Sequence, residues 1–249
     1  MSKIPYLLQL ADNALITGHR LAEWCGHGPV LEIDMALTNL ALDHLGQARM
    51  LFQYIADIEG QQKTEDDWAF LRSERQFCNV LLTEQPNTDF AYAIMRQFLF
   101  DEFNYLLYDE LRRSCDTHLA AIADKSLKEI AYHVRFSSEW VLRLGDGTAE
   151  SRQRLQTALD DLWPYTGELF MPSEADAAMC EEGVSPNLAT LRPLWAAKVA
   201  AVLEEATLVQ PSAEIWMQKG GKQGRHSEYL GYILADMQYM QRTYPNAKW

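Results

Sequence analysis

Apolar residues recur every three to four positions along almost the whole chain, and that period commits the backbone to helices. Runs with period two and enriched in β-branched residues are absent, so no strands are expected. A first helix spans about residues 4–25, with Leu7, Leu10, Ala14, Gly18 and Leu21 on its stripe, and Cys25 to Pro29 stops it. A second spans about 30–59. Leu37, Leu40, Ala41, Ala48, Phe52 and Ile55 make it apolar on more than one side, as in a central bundle helix. A shorter helix is expected near 65–83, and Gln85 to Asp89 forms a loop with a helix cap.

The third and fourth long helices run over about 88–115 and 117–144, the latter ending at Leu144 to Gly147. Two more cover about 149–170 and 187–208. The glycine-rich loop Lys219 to Gly224 precedes a last helix at about 226–243. Four long helices with one long crossover between the second and third match a ferritin-like four-helix bundle. The expected fold is therefore all-α, one domain over 1–249. Its core bundle is about 4–144, with additional C-terminal helices over about 149–243.

Of the 249 residues, 48% are hydrophobic, enough for a large core. The formal net charge of −13 argues against nucleic acid, because phosphate binding needs a surplus of Lys and Arg. It argues equally against docking on anionic membranes. Cys25, Cys78, Cys115 and Cys180 are dispersed, with no C-x-x-C pair, so thiolate zinc and iron–sulfur sites are not suggested. They read as reduced, mostly buried thiols. No stretch reaches the ~18 consecutive apolar residues of a membrane span. Asp12 and Asn13 interrupt the N-terminus before a signal-like apolar run develops, so the expected location is cytoplasmic.

Ferritin-like bundles often carry two iron ions on one carboxylate from each of two helices and a Glu-x-x-His pair from each of the others. The i, i+3 spacing puts both members of a pair on one helix face. The histidines are His19, His27, His44, His118, His133 and His226. Three residues before them stand Ile16, Trp24, Ala41, Cys115, Ile130 and Gln223, none a carboxylate. The defining motif is absent twice, and imidazole alone does not offset the charge of two iron ions. Polar residues nevertheless interrupt apolar seams: His44 between Ala41 and Ala48, Asp101 between Phe98 and Tyr105, and His133 beside Ile130 and Ser137. Either they are separate, locally satisfied groups, or they form one buried polar cluster at the bundle centre.

Several longer segments carry a resemblance. They are LAEWCGHGPVLEIDMAL (Leu21 to Leu37), DHLGQAR (Asp43 to Arg49), RSERQFCNVLL (Arg72 to Leu82), KEIAYHVRFSSEW (Lys128 to Trp140), GGKQGRHSEYLG (Gly220 to Gly231) and LADMQYMQR (Leu234 to Arg242). From the first helix to Trp249, the chain resembles the ferritin-like subunits of the bacterial 1,2-phenylacetyl-CoA epoxidase of phenylacetate degradation. Two related types make up that family. One is structural, and this chain is similar to it; the other is catalytic and carries the di-iron centre.

Laid on this chain, the family's ligand positions fall on Glu23 (retained), His44 and Gln47 (both changed), Asp101 (retained), Ile130 (glutamate lost) and His133 (retained). Periodicity alone puts Glu23 opposite the apolar stripe of its helix. The resemblance implies a degenerate site, no cofactor in this chain, and di-iron in the related catalytic partner. It also implies a complex with a reductase and a further small subunit. The rival reading is a metal-binding oxygenase or oxidase component with a rearranged site at His44, Asp101 and His133. Lys219, Lys222 and Arg225 gather three cations before a helix N-terminus, where a phosphate such as that of CoA could sit. The Walker spacing is absent, so the loop is not a nucleotide P-loop.

Overall fold

A computed structural model describes residues 3–60, 62–212, 214–245 and 247; Trp249, where the resemblance ends, lies outside them. Among the described residues there is no strand. The helices are α1 (Ile4–Ala22), α2 (Leu31–Ile58), α3 (Glu65–Phe70), α4 (Phe90–Leu111), α5 (Thr117–Gly145), α6 (Ala149–Leu162), α7 (Glu174–Glu181), α8 (Leu188–Glu205) and α9 (Glu228–Thr243). No described helix is long and apolar enough to cross a membrane. The chain divides into two compact units. One joins Met1–Pro86 to Gly220–Trp249, and the other is Asn87–Lys219. Each unit is built on a pair of long helices, α1 with α2 and α4 with α5.

In the first unit, the loop between α1 and α2 is pinned by one side chain. The Asp34 carboxylate accepts the backbone N–H groups of Gly26 at 2.8 Å and Gly28 at 2.9 Å. Gly18 lets α1 lie close on α2, since a Cβ there would sit 3.2 Å from the Ala41 carbonyl oxygen. Helix α1 is buried on nearly every side, its polar residues Asp12, Asn13, Thr17 and Arg20 included.

The cover over that polar side is the crossover. The helix expected over 65–83 stops at Phe70. A 3-10 turn (Glu74–Gln76) follows, and then irregular, almost fully buried backbone through Gln85. Backbone N–H and C=O groups taken from water in this way need partners. Here α1 supplies them: Asp12 accepts Cys78 N–H at 2.9 Å and Asn13 accepts Val80 N–H at 2.8 Å. Arg20 donates to the Glu84 carbonyl at 2.7 and 3.1 Å. Helix α3 ends where it does because Arg72 turns inward. Its guanidinium forms a bidentate pair with Asp12, donates to the Gln76 carbonyl at 2.9 Å and lies 4.1 Å from the Phe77 ring centre. From α9, Gln238 and Arg242 donate to the Arg72 carbonyl at 3.0 and 2.9 Å.

The second unit packs α4 against α5, with α6 and α8 alongside. Trp195 on α8 donates its indole N–H to the Leu99 carbonyl at 3.0 Å, and its ring packs on Trp163 and Phe170. Gly145 at the end of α5 admits the backbone of Ala206, since a Cβ would stand 2.2 Å from that carbonyl oxygen. The helix expected over 149–170 ends at Leu162. Pro164 then opens a 3-10 turn, because it has no N–H to continue the ladder. Helix α7, not anticipated from periodicity, starts at a capping box of Ser173 and Asp176. The cysteines depart from expectation as well. All four are free, but Cys25 and Cys115 are exposed and Cys78 and Cys180 half-buried.

The Asp12–Arg72 pair gives the sharpest stability test. Removing one partner leaves an uncompensated buried charge, so Asp12→Ala or Arg72→Ala is expected to cost about 3–5 kcal/mol of unfolding free energy. Urea denaturation measures this, and a loss under about 1 kcal/mol would mean that the crossover is held by other contacts.

Candidate functional site

The expected seams place their polar residues inside. On α4 and α5 of the second unit, Asp101, Ile130, His133 and Ser137 are each fully enclosed. Helical spacing accounts for the arrangement: Gln97 and Asp101 are one turn apart on α4, as are Ile130, His133 and Ser137 along α5. Asp101 Oδ1 accepts from Gln97 Nε2 at 2.6 Å, and Oδ2 accepts from the Ser137 hydroxyl at 2.9 Å. That hydroxyl is also 2.9 Å from the His133 carbonyl oxygen.

Burial pushes the Asp101 carboxyl up to about 7; the positive influence of His133 and the hydrogen bonds from Ser137 and Gln97 oppose the rise, while neighbouring Glu102 adds to it. Glu102 is itself raised by burial, with Lys198 opposing. Near neutrality the Asp101 group therefore passes between its protonated and ionised forms. Gln97 was not singled out from sequence, though its i, i+4 relation to Asp101 was visible there.

In the first unit, His44 and Gln47 are both fully buried on α2. Glu23 is not part of any buried set. It follows the last turn of α1 with its side chain 42% exposed, and its carboxylate takes the Arg20 guanidinium at 2.9 and 3.1 Å. Of the two carboxylates at the expected ligand positions, Asp101 is buried and Glu23 is committed to an arginine at the surface.

The glycine-rich loop is only partly exposed to solvent. Gly221 and Lys222 are buried, and a Cβ on Gly221 would stand 2.1 Å from the Asn79 carbonyl oxygen. Arg225 is exposed beside Arg75 in a cleft that also holds Glu74 and His226. Lys219 is exposed and belongs to the other unit. Unanticipated from sequence is the fully enclosed pair of Glu84 and His226, joined at 2.9 Å. The only sequence signal was a glutamate soon after the apolar run Val80 to Leu82.

An all-α chain built on two pairs of long helices defines a ferritin-like helical protein. The chain belongs to the family described as "Phenylacetic acid catabolic protein", whose model matches residues 1–249. Among characterised proteins it is similar to one of the subunits of 1,2-phenylacetyl-CoA epoxidase from Escherichia coli (strain K12), the one designated C. The two are 49% identical over 98% of each chain.

The Asp101 site makes a pH prediction. Its folded pKa of about 7 lies above the ordinary 3.8, so the folded chain holds this proton more tightly than the unfolded one. The contribution is complete below the unfolded value and is lost as pH rises to about 7. Relative to Asp101→Asn, the wild type is expected to lose stability between pH 4 and 7, with a constant difference above. Denaturant titrations of both proteins across pH 3.5–8.5 measure it. A flat difference would mean that Asp101 stays ionised in the fold.

Proposed function

We propose that this chain is the non-catalytic structural subunit of a multicomponent phenylacetyl-CoA epoxidase in phenylacetate catabolism. In this reading it pairs with the related di-iron catalytic subunit, stabilises it and shapes its substrate entrance. The rest of the assembly is a reductase and a further small subunit, and the whole works in the cytoplasm. The overall reaction is oxygen-dependent epoxidation of the aromatic ring of phenylacetyl-CoA, and this chain performs no chemical step in it.

One observation carries the reading. Ile130 is fully buried where the resemblance sets a glutamate ligand. An alkyl group there fills space and excludes water and metal alike. The remaining donors do not fit two iron ions. They comprise one buried carboxylate whose pKa is already pushed to about 7, two imidazoles and an amide, with Glu23 drawn away by Arg20. Di-iron sites need several anionic oxygens to offset the metal charge. In this reading His44, Asp101 and His133 are remnants of the ancestral set, and hydrogen bonding replaces metal coordination. That Asp101 already draws on Gln97 and Ser137 supports the replacement. The rival is a single metal ion held by His44, Asp101 and His133.

Two experiments separate the readings. Protein from iron-supplemented cells is expected to contain far less than one iron per chain by elemental analysis. Stoichiometric iron that disappears in His133→Ala would establish the rival. Co-expressed with its catalytic relative, the chain is expected to emerge from size exclusion as one stable complex. Separate elution of the two proteins at micromolar concentration would refute the structural role.

A further inference from the structure

Glu84 lies at the end of the crossover with no exposed side-chain surface, and neither has its neighbour His226. The carboxylate accepts three N–H groups: the Ser227 backbone on Oε1 at 2.6 Å, and His226 Nδ1 and Asn79 Nδ2 on Oε2 at 2.9 and 3.0 Å. The other ring nitrogen of His226, Nε2, lies 2.9 Å from the Phe77 carbonyl oxygen. A carbonyl oxygen only accepts, so Nε2 carries a hydrogen. An ionised carboxylate only accepts, so Nδ1 carries one too. A ring with both is an imidazolium.

The location makes this protonation consequential. Ser227 is the N-cap of α9, and its hydroxyl accepts Tyr229 N–H. The Glu84 carbonyl is held from α1 by Arg20. One buried ion pair thus fastens the start of α9 to the crossover, and through it to α1. The charged groups around the ring are Glu84 and Glu74 from the crossover, Arg20 from α1, and Arg75 and Arg225 across the cleft. Lys222 and Glu228 stand on its own segment. Arg75 and Arg225 are solvent-exposed, so water screens their repulsion, whereas Glu84 acts from within the protein.

We propose that His226 is a proton-operated latch that fastens the 220–243 segment when charged and loosens it when neutral. A neutral imidazole has one N–H. On losing its proton, His226 must abandon either the Phe77 carbonyl or the Glu84 carboxylate, leaving a buried acceptor without its donor. Desolvation works against the charge, but the hydrogen bond and charge of Glu84, the Phe77 carbonyl and Glu74 outweigh it and raise the pKa above 6.5. For a histidine raised on folding, the stabilisation is complete below the unfolded value and is lost as pH rises through the folded one. The latch therefore opens as pH rises through a midpoint above 6.5.

The test uses the full-length, 15N-labelled protein from pH 5.5 to 9. Long-range 1H–15N spectra report which ring nitrogens of His226 are protonated, with assignment from His226→Gln or from the shift caused by Glu84→Gln. Hydrogen exchange in α9, corrected for intrinsic rates and referred to α4 at the same pH, reports attachment. Both nitrogens are expected to be protonated at pH 6, with a midpoint above 6.5. Across that midpoint, exchange in α9 should rise about tenfold relative to α4. His226→Gln should exchange fast at every pH. A single protonated nitrogen at pH 6, or α9 protection unchanged across the His226 midpoint, would overturn the proposal. If one variant fails to fold, the other supplies the assignment, and both readouts are made on the wild type.

Discussion

The buried pair between Asp12 and Arg72 governs the first unit. A carboxylate inside a helix bundle is costly unless its charge and lone pairs are fully engaged. Asp12 meets that condition with the Arg72 guanidinium and the Cys78 N–H. The same bond that settles Asp12 fixes the course of the crossover. Arg72 can reach α1 only if α3 ends at Phe70, and once it is there the next dozen residues must run along α1 instead of coiling over water. Asn13 and Arg20 then take up backbone groups further along the same face. Interior polar chemistry, rather than helix propensity, dictates this part of the path.

Much of the architecture was legible in the chain. The long helices, the cap at Asp89 and the stop at Cys25 to Pro29 follow from period 3.6 and local turn chemistry, and the structure places their ends within a few residues of expectation. The crossover was not legible. Its residues Phe77 to Leu82 are apolar enough to pass for a helix, and the reason they are extended lies some sixty positions away, in α1. Asp12 and Asn13 read as interruptions of an apolar run because nothing local reveals what will cover them. The burial of Asp101 and His133 could be read from the seams. The exposure of Glu23 could be read from its side of α1, against its place in the family's ligand set.

The second unit shows how a packed helix pair tolerates buried polar groups. Asp101 keeps its carboxyl but has donors on its own helix and on its neighbour, Gln97 and Ser137. Ile130, one turn from His133, presents the sort of surface a packed core prefers. A carboxyl whose pKa is held near neutrality weakens as an anionic ligand, because binding a cation would first require expelling a proton. A buried aspartate at this position is thus compatible with the non-catalytic role proposed above.

The order of elements has a consequence for synthesis. Residues 87–219 form a unit of their own between the two parts of the other. Glu84 leaves the ribosome 142 residues before His226, and the Arg72 carbonyl 166 residues before Gln238. Closure of such distant pairs is slow compared with forming a local helix. The nascent chain therefore carries an incomplete first half, with a buried-type glutamate and an uncovered crossover, while the whole intervening unit is made. Only emergence of α9, the last helix, completes the part that was begun first.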